Sequence, residues 1–143
     1  MSRAALAALG LSVVTALAPL AAQAEGLQKG VAILRWLDKS TARVATVEVP
    51  VNQSVRIESL ELIVRACVER PPVEPPESAA FLDIAEVRPG EPTAEVFRGW
   101  MFASSPALSA MEHPIYDVWV LDCIDQGESS PYLRQDDEAE PKG

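Results

Sequence analysis

The chain is poor in the residues that most enzymes and nucleic-acid binders need. It has one histidine and two cysteines, and twelve Lys and Arg residues stand against twenty-one Asp and Glu, a formal net charge of −9. Any acid–base or nucleophilic chemistry that uses histidine must run through His113. Ser104, Ser105, Ser109 and Asp117 lie near it and superficially supply the residue types of a catalytic triad, but neither a GxSxG elbow nor an oxyanion loop accompanies them. A metal site built on Glu112, His113 and Asp117 would need a further ligand. Glycine-rich phosphate loops are missing too, so the expected protein is non-catalytic, with no metal and no cofactor. Scarcity of positive charge argues against nucleic acid, whose phosphates call for a basic face, and against adsorption to anionic lipid headgroups. After residue 24 no apolar run is long enough to span a bilayer, so no membrane insertion is expected of the rest of the chain.

The first 24 residues read as an export signal. Arg3 is their only charge, the run from Ala4 to Leu20 is uncharged, and Pro19 breaks its helical continuity. Ala22-Gln23-Ala24 then offers the small residues that signal peptidase reads, which predicts cleavage after Ala24 and a periplasmic product. An uncleaved anchor is the alternative, disfavoured because alanine and glycine make the run only weakly apolar. Cleavage would leave 119 residues (143 minus 24), enough for one modest core. Loss of Arg3 takes the net charge from −9 to −10. Part of that charge sits at residues 125–143, where six acids face Arg134 and Lys142. That segment is expected to be an acidic mobile tail, since it has few large apolar residues to offset its ordering entropy. Three parts result: a signal peptide at 1–24, a single β domain at 25–124 and the tail at 125–143.

In an oxidising compartment the two cysteines read as one disulfide, Cys67–Cys123. Closing a loop of about 57 residues would stabilise the fold by roughly 4 kcal/mol through the entropy of the unfolded chain. A metal or redox role is the alternative, but the two are far apart and neither belongs to a CxxC pair.

Apolar periodicity is that of strands nearly everywhere. Val31–Leu37 and Arg43–Val49 fit a hairpin around the polar turn from Asp38 to Thr41. Ser54–Ile57 is short, and Leu60–Val68 is the strongest strand of the chain. Simple alternation puts Leu60, Leu62, Val64, Ala66 and Val68 on one side of it, and Glu61, Ile63, Arg65 and Cys67 on the other. The four prolines between Arg70 and Glu77 exclude a ladder and predict an extended arm crossing between sheets. Ala79–Val87, Ala94–Phe102 and Ile115–Ile124 complete the strands, and Ala103–His113, with Pro106 in its first turn, is the one short helical segment. The sum is a mostly β fold, a small sandwich or barrel of about six or seven strands.

Aromatic and methionine side chains crowd one segment. Trp100, Met101, Phe102, Tyr116 and Trp119 fall within twenty residues, together with His113. Packing accounts for most such residues by default, and exposed ones favour partner binding. These six form the candidate interaction surface.

The stretches Leu37-Asp38-Lys39, Val47-Glu48-Val49-Pro50-Val51, Val64-Arg65-Ala66-Cys67, Arg70-Pro71-Pro72 and Glu77–Leu82 carry a resemblance, as do Gly99–Leu108 and Glu112–Cys123. Together they resemble the bacterial family of the domain of unknown function numbered 2155, found in exported proteins of alphaproteobacteria. The resemblance spans roughly residues 30–124 and implies no established activity. Its gene neighbourhood, often beside an accessory subunit of respiratory complex I, implies a membrane-complex context. The functional expectation is an interaction or accessory protein of the cell envelope, partnered by another protein. The alternative is a periplasmic binder of a small ligand, whether sugar, lipid or peptide.

Overall fold

A computed structural model describes residues 26–139, with side chains described through residue 135. The expected signal segment and its cleavage point after Ala24 lie outside the described residues, as do residues 140–143. The fold is mostly β. Its strands are β1 (Leu27–Gln28), β2 (Val31–Asp38), β3 (Arg43–Pro50), β4 (Ser54–Ile57), β5 (Leu60–Glu69), β6 (Ser78–Glu86), β7 (Ala94–Phe102) and β8 (Tyr116–Ile124). A helix, α1 (Pro131–Ala139), follows them.

All pairings are antiparallel and divide between two sheets. β3–β2–β8 form the smaller sheet, and β5–β6–β7 form the body of the larger one, with β4 and β1 sharing the outer edge of β5. The β2–β3 hairpin closes over residues 39–42 because Asp38 organises the turn. Its Oδ1 accepts hydrogen bonds from Ser40 N–H, Ser40 Oγ and Thr41 N–H at 2.8, 2.6 and 3.2 Å. At the corner between β3 and β4 the chain changes sheets with Asn52 in the left-handed region (φ 64°), and its N–H donates to Val64 O at 2.7 Å. Asparagine tolerates that conformation better than most residues.

Two expected connections differ. The proline-rich stretch does not cross between sheets: β5 and β6 are neighbours in one sheet, and Arg70 N–H bonds Glu77 O at 3.0 Å to close a long hairpin between them. Prolines suit such a loop because it asks for no ladder donors. Between β7 and β8 only Pro106–Ser109 is helical, a single 3-10 turn. Pro106 starts it, but the polar residues Ser104 and Ser105 precede it and no side chain caps it, so nothing extends the turn.

The core lies between the sheets and is lined by Leu60, Leu62 and Val64 of β5, Leu82 and Ile84 of β6, and Leu34 and Trp36 of β2. Each such aliphatic side chain contributes about 1.5–3 kcal/mol by leaving water. Cys67 joins them, contrary to simple alternation. The register of β5 against β6 passes from Val64↔Leu82 to Ala66↔Phe81, so Arg65 is the extra residue of a β-bulge. The bulge puts Arg65 and Ala66 both on the outer side and turns Cys67 inward, opposite Ala80. β8 does the same: Leu34↔Val120 is followed by Ile33↔Asp122, so Leu121 is extra and Cys123 faces inward. One bulge two residues before each cysteine therefore brings the pair together. The disulfide Cys67–Cys123 ties β5 to β8 across the core, with Cα atoms 5.6 Å apart.

Packing continues past Ile124, where the β domain was expected to end. Tyr132 and Leu133 of α1 cover Val31, Ile33 and Ile124 on the outer side of the smaller sheet, and Ser130 is fully buried. Ser130 Oγ donates to Asp122 Oδ2 at 2.9 Å, anchoring the segment just before the helix.

Candidate functional site

His113 is a structural tie. Its side chain is buried. Nδ1 accepts the N–H groups of Ile115 and Tyr116 at 3.1 and 3.0 Å, so the proton of the neutral ring sits on Nε2, which donates to Glu86 Oε1 at 3.2 Å. Both ring nitrogens are thus engaged in fastening the start of β8 to the end of β6. Glu86 also accepts from Ser59 Oγ at 3.2 Å and from Arg88 Nε at 3.0 Å. Burial pushes the Glu86 carboxyl up, but the hydrogen bonds from His113, Arg88 and Ser59 outweigh it and hold the group below its ordinary value. The other residue types of a triad are directed elsewhere. Ser104 Oγ donates to Glu77, and Asp117 pairs with Lys39 at 3.2 Å. Among the described residues no group of three or more His, Cys, Asp or Glu is placed to hold a metal ion.

The six candidate surface residues do not form one patch. Met101 is 2% exposed and points into the core, which with buried His113 takes two of them off the surface. Tyr116 is half-buried, stacked on the His113 ring at 5.2 Å and against Trp36 at 5.6 Å. Trp119 pairs with Arg35 and so lies on the outer side of the smaller sheet. Trp100 and Phe102 pair with Phe81 and Ala79 on the outer side of the larger sheet. Strand alternation sends neighbours to opposite faces, so nearness in sequence does not make a surface.

What alternation does assemble is a patch on the outer face of the larger sheet. Trp100 is 41% exposed and meets Phe81 edge to face, ring centres 5.6 Å apart. Half-buried Phe102 lies two residues further along β7. On the other flank Asp83 sits between two arginines: Arg65 Nε reaches its Oδ2 at 2.8 Å and Arg98 Nε its Oδ1 at 3.4 Å. A groove of about 330 Å³ runs beside this trio, bordered also by Glu61, Thr93 and Glu95. Alternation along β5 sets Arg65 on this face, on the same side as Glu61 and Ile63. Phe81, Arg65, Asp83 and Arg98 were not among the candidates from sequence, yet Phe81/Asp83 and Arg98/Trp100 are spaced by two on paired strands, which is the signal for a shared face.

Fold and surface together define a class: a two-sheet antiparallel sandwich cross-braced by a buried disulfide, with one sheet face left open and bearing aromatic and arginine side chains. The chain belongs to the family of the domain of unknown function 2155, described as an uncharacterized protein conserved in bacteria, which matches residues 32–123. It is similar to an uncharacterized protein of Rickettsia prowazekii (strain Madrid E), 26% identical over 88 residues, which is 62% of this chain and 57% of the relative. The chain thus matches little more than half the length of that relative. No solved structure matches it.

Proposed function

We propose that this protein is a non-catalytic interaction module of the cell envelope that docks another protein on the outer face of its larger sheet. The observation that carries this reading is the exposed Trp100, packed on Phe81 and set beside the Arg65–Asp83–Arg98 trio. Trp and Arg are the residues that most often dominate binding energy at protein interfaces, and a preformed sheet surface costs little ordering entropy. Export to the periplasm is part of the proposal, supported by the signal-like sequence at 1–24 and by the buried disulfide, a bond that persists in oxidising compartments. The partner is an envelope protein, and the family's gene neighbourhood points to a respiratory membrane complex. A small-ligand binder would want an enclosed apolar cavity. The groove on this face, about 330 Å³, is open to solvent, and so are those of about 490 and 250 Å³ beside His113 and Trp119, which favours the module.

The test is photo-crosslinking in cells that produce the full chain, with a photoreactive phenylalanine at Trp100 or Thr93, and at Val44 on the outer face of the smaller sheet as the control. A discrete adduct to one protein from positions 100 and 93, absent from position 44, is the expected result. Monomer bands alone from positions 100 and 93, or an adduct from position 44 alone, would refute the reading.

A further inference from the structure

β7 is the outermost strand of the larger sheet, paired on one side with β6. One bond sets the direction of its backbone groups: Ala103 N–H donates to Ser78 O at 2.8 Å. Antiparallel ladders alternate between pairs that exchange hydrogen bonds and pairs that do not. Counting back along the register, Met101/Ala80 and Gly99/Leu82 exchange bonds, whereas Phe102/Ala79, Trp100/Phe81 and Arg98/Asp83 do not. The N–H and C=O groups of Arg98 and Trp100 therefore point away from β6, along the free edge. Among the described residues no other strand takes them up. The open stretch is bounded on both sides: Phe102 O accepts from Ser105 N–H at 3.2 Å, and the register shift opposite Ile84 and Ala85 makes Val96 the extra residue of a bulge. Sheet edges are commonly blunted by such bulges. Between them lies an unblocked segment whose side chains, Arg98 and Trp100, belong to the docking face.

We propose that β7 takes up an extended segment of the partner protein as an added antiparallel strand, with an apolar, any, apolar, any, acidic pattern opposite Phe102, Trp100 and Arg98. The inference rests on the docking reading above and names how the partner binds. The residues opposite Trp100 and Arg98 would each exchange two backbone hydrogen bonds with β7, and their side chains would fall on the same outer face. An apolar side chain opposite Trp100 extends the Trp100–Phe81 pair. An acidic one opposite Arg98 fits because the Arg98 side chain is 60% exposed and meets Asp83 through Nε at 3.4 Å, which leaves its Nη donors for a second carboxylate. A second copy of this chain is the wrong occupant. Its own β7 offers no acid at the required spacing, and two chains of net charge −9 repel.

The probe is an acetylated peptide amide, Thr-Val-Thr-Val-Thr-Glu-Thr-Ser, titrated into the disulfide-bonded chain. Binding should shift the backbone amide signals of Arg98 and Trp100 and slow their hydrogen exchange. N-methylation of the second valine and the glutamate, whose N–H groups face β7, should weaken binding by about tenfold or more, whereas N-methylation of the intervening threonines should leave it nearly unchanged. Arg98→Gln should weaken the complex severalfold and Arg98→Pro should abolish it. Proline there removes an N–H that no strand of the fold uses, so the thermal midpoint should stay close to wild type. Shifts confined to the rings of Trp100 and Phe81, with equal affinity for all N-methylated peptides, would overturn strand addition and leave the docking reading standing. No binding at millimolar peptide would overturn it as well, the docking reading then resting on the crosslinking alone. A doubled mass of the free chain that Arg98→Pro reverses would show that a second copy fills the edge and would equally overturn it.

Discussion

Replacing Cys67 and Cys123 together by alanine removes the covalent tie between the two sheets, and the structure allows the loss to be worked out. The bond closes a loop with sequence separation 56. Freeing a loop of that size returns about 4 kcal/mol of entropy to the unfolded chain. Both cysteines are buried, at 0% and 2% exposure, so removal of their sulfurs also leaves a small void in the core, worth about 1 kcal/mol more. A loss of about 4–5 kcal/mol is a large share of the stability of a small domain. It should lower the thermal midpoint by about 15–20 °C. Urea unfolding of the oxidised wild type and of the double alanine variant measures the difference directly, and the variant should also show a larger m value because its unfolded state is less compact. Reductant alone should leave the native protein oxidised, and reduction should begin only where urea populates the unfolded state. A difference below about 1 kcal/mol, or rapid reduction without denaturant, would refute the reasoning that the bond is a buried brace.

Two further outcomes follow from the buried polar contacts. His113→Ala should cost about 2–3 kcal/mol in urea unfolding, because it strands the N–H groups of Ile115 and Tyr116 and removes a donor to Glu86. Stability should fall on acidification below the ordinary carboxyl range. Three carboxyls are held below their ordinary values: Glu86 and Glu77, where hydrogen bonds outweigh burial (for Glu77 chiefly those from Ser104), and Asp38, drawn down first by the Ser40 hydroxyl against opposing burial. A depressed folded value means that the unfolded state takes up protons first. Their contribution is therefore complete above the ordinary values of 4.5 for glutamate and 3.8 for aspartate, and is lost as pH falls through the lower folded values. Urea midpoints measured from neutral pH down to strongly acidic pH should trace that loss, and Glu86→Gln should flatten the slope.

Much of the fold is legible along the chain because strand alternation is a local property. The β2–β3 hairpin, the short β4, the long β5 and the bounds of β7, Ala94–Phe102, follow from apolar spacing and turn residues. Helix α1 was hidden, since Pro131–Ala139 is mostly polar and its packing comes from Tyr132 and Leu133 against Val31, Ile33 and Ile124, more than 90 residues away from the first two of these. The bulges at Arg65 and Leu121 were hidden for a related reason. A bulge is a mismatch of register between two strands and leaves no mark in either strand read alone.

By itself the sequence determined the strand-rich fold, the family and the pairing of the two cysteines, since composition, spacing and local patterns carry these. Period-2 alternation over Ala94–Phe102 likewise sets Trp100 and Phe102 on one side of a strand and Met101 on the other. Only the tertiary structure decided which side was the core. Met101 and both cysteines went inward because the register and bulges of β5, β7 and β8 put them between the sheets, and Trp100 was left outward beside Phe81. The Arg65–Asp83–Arg98 trio was likewise a product of assembly. Its members come from three strands, and only cross-strand pairing brings such residues within hydrogen-bond reach.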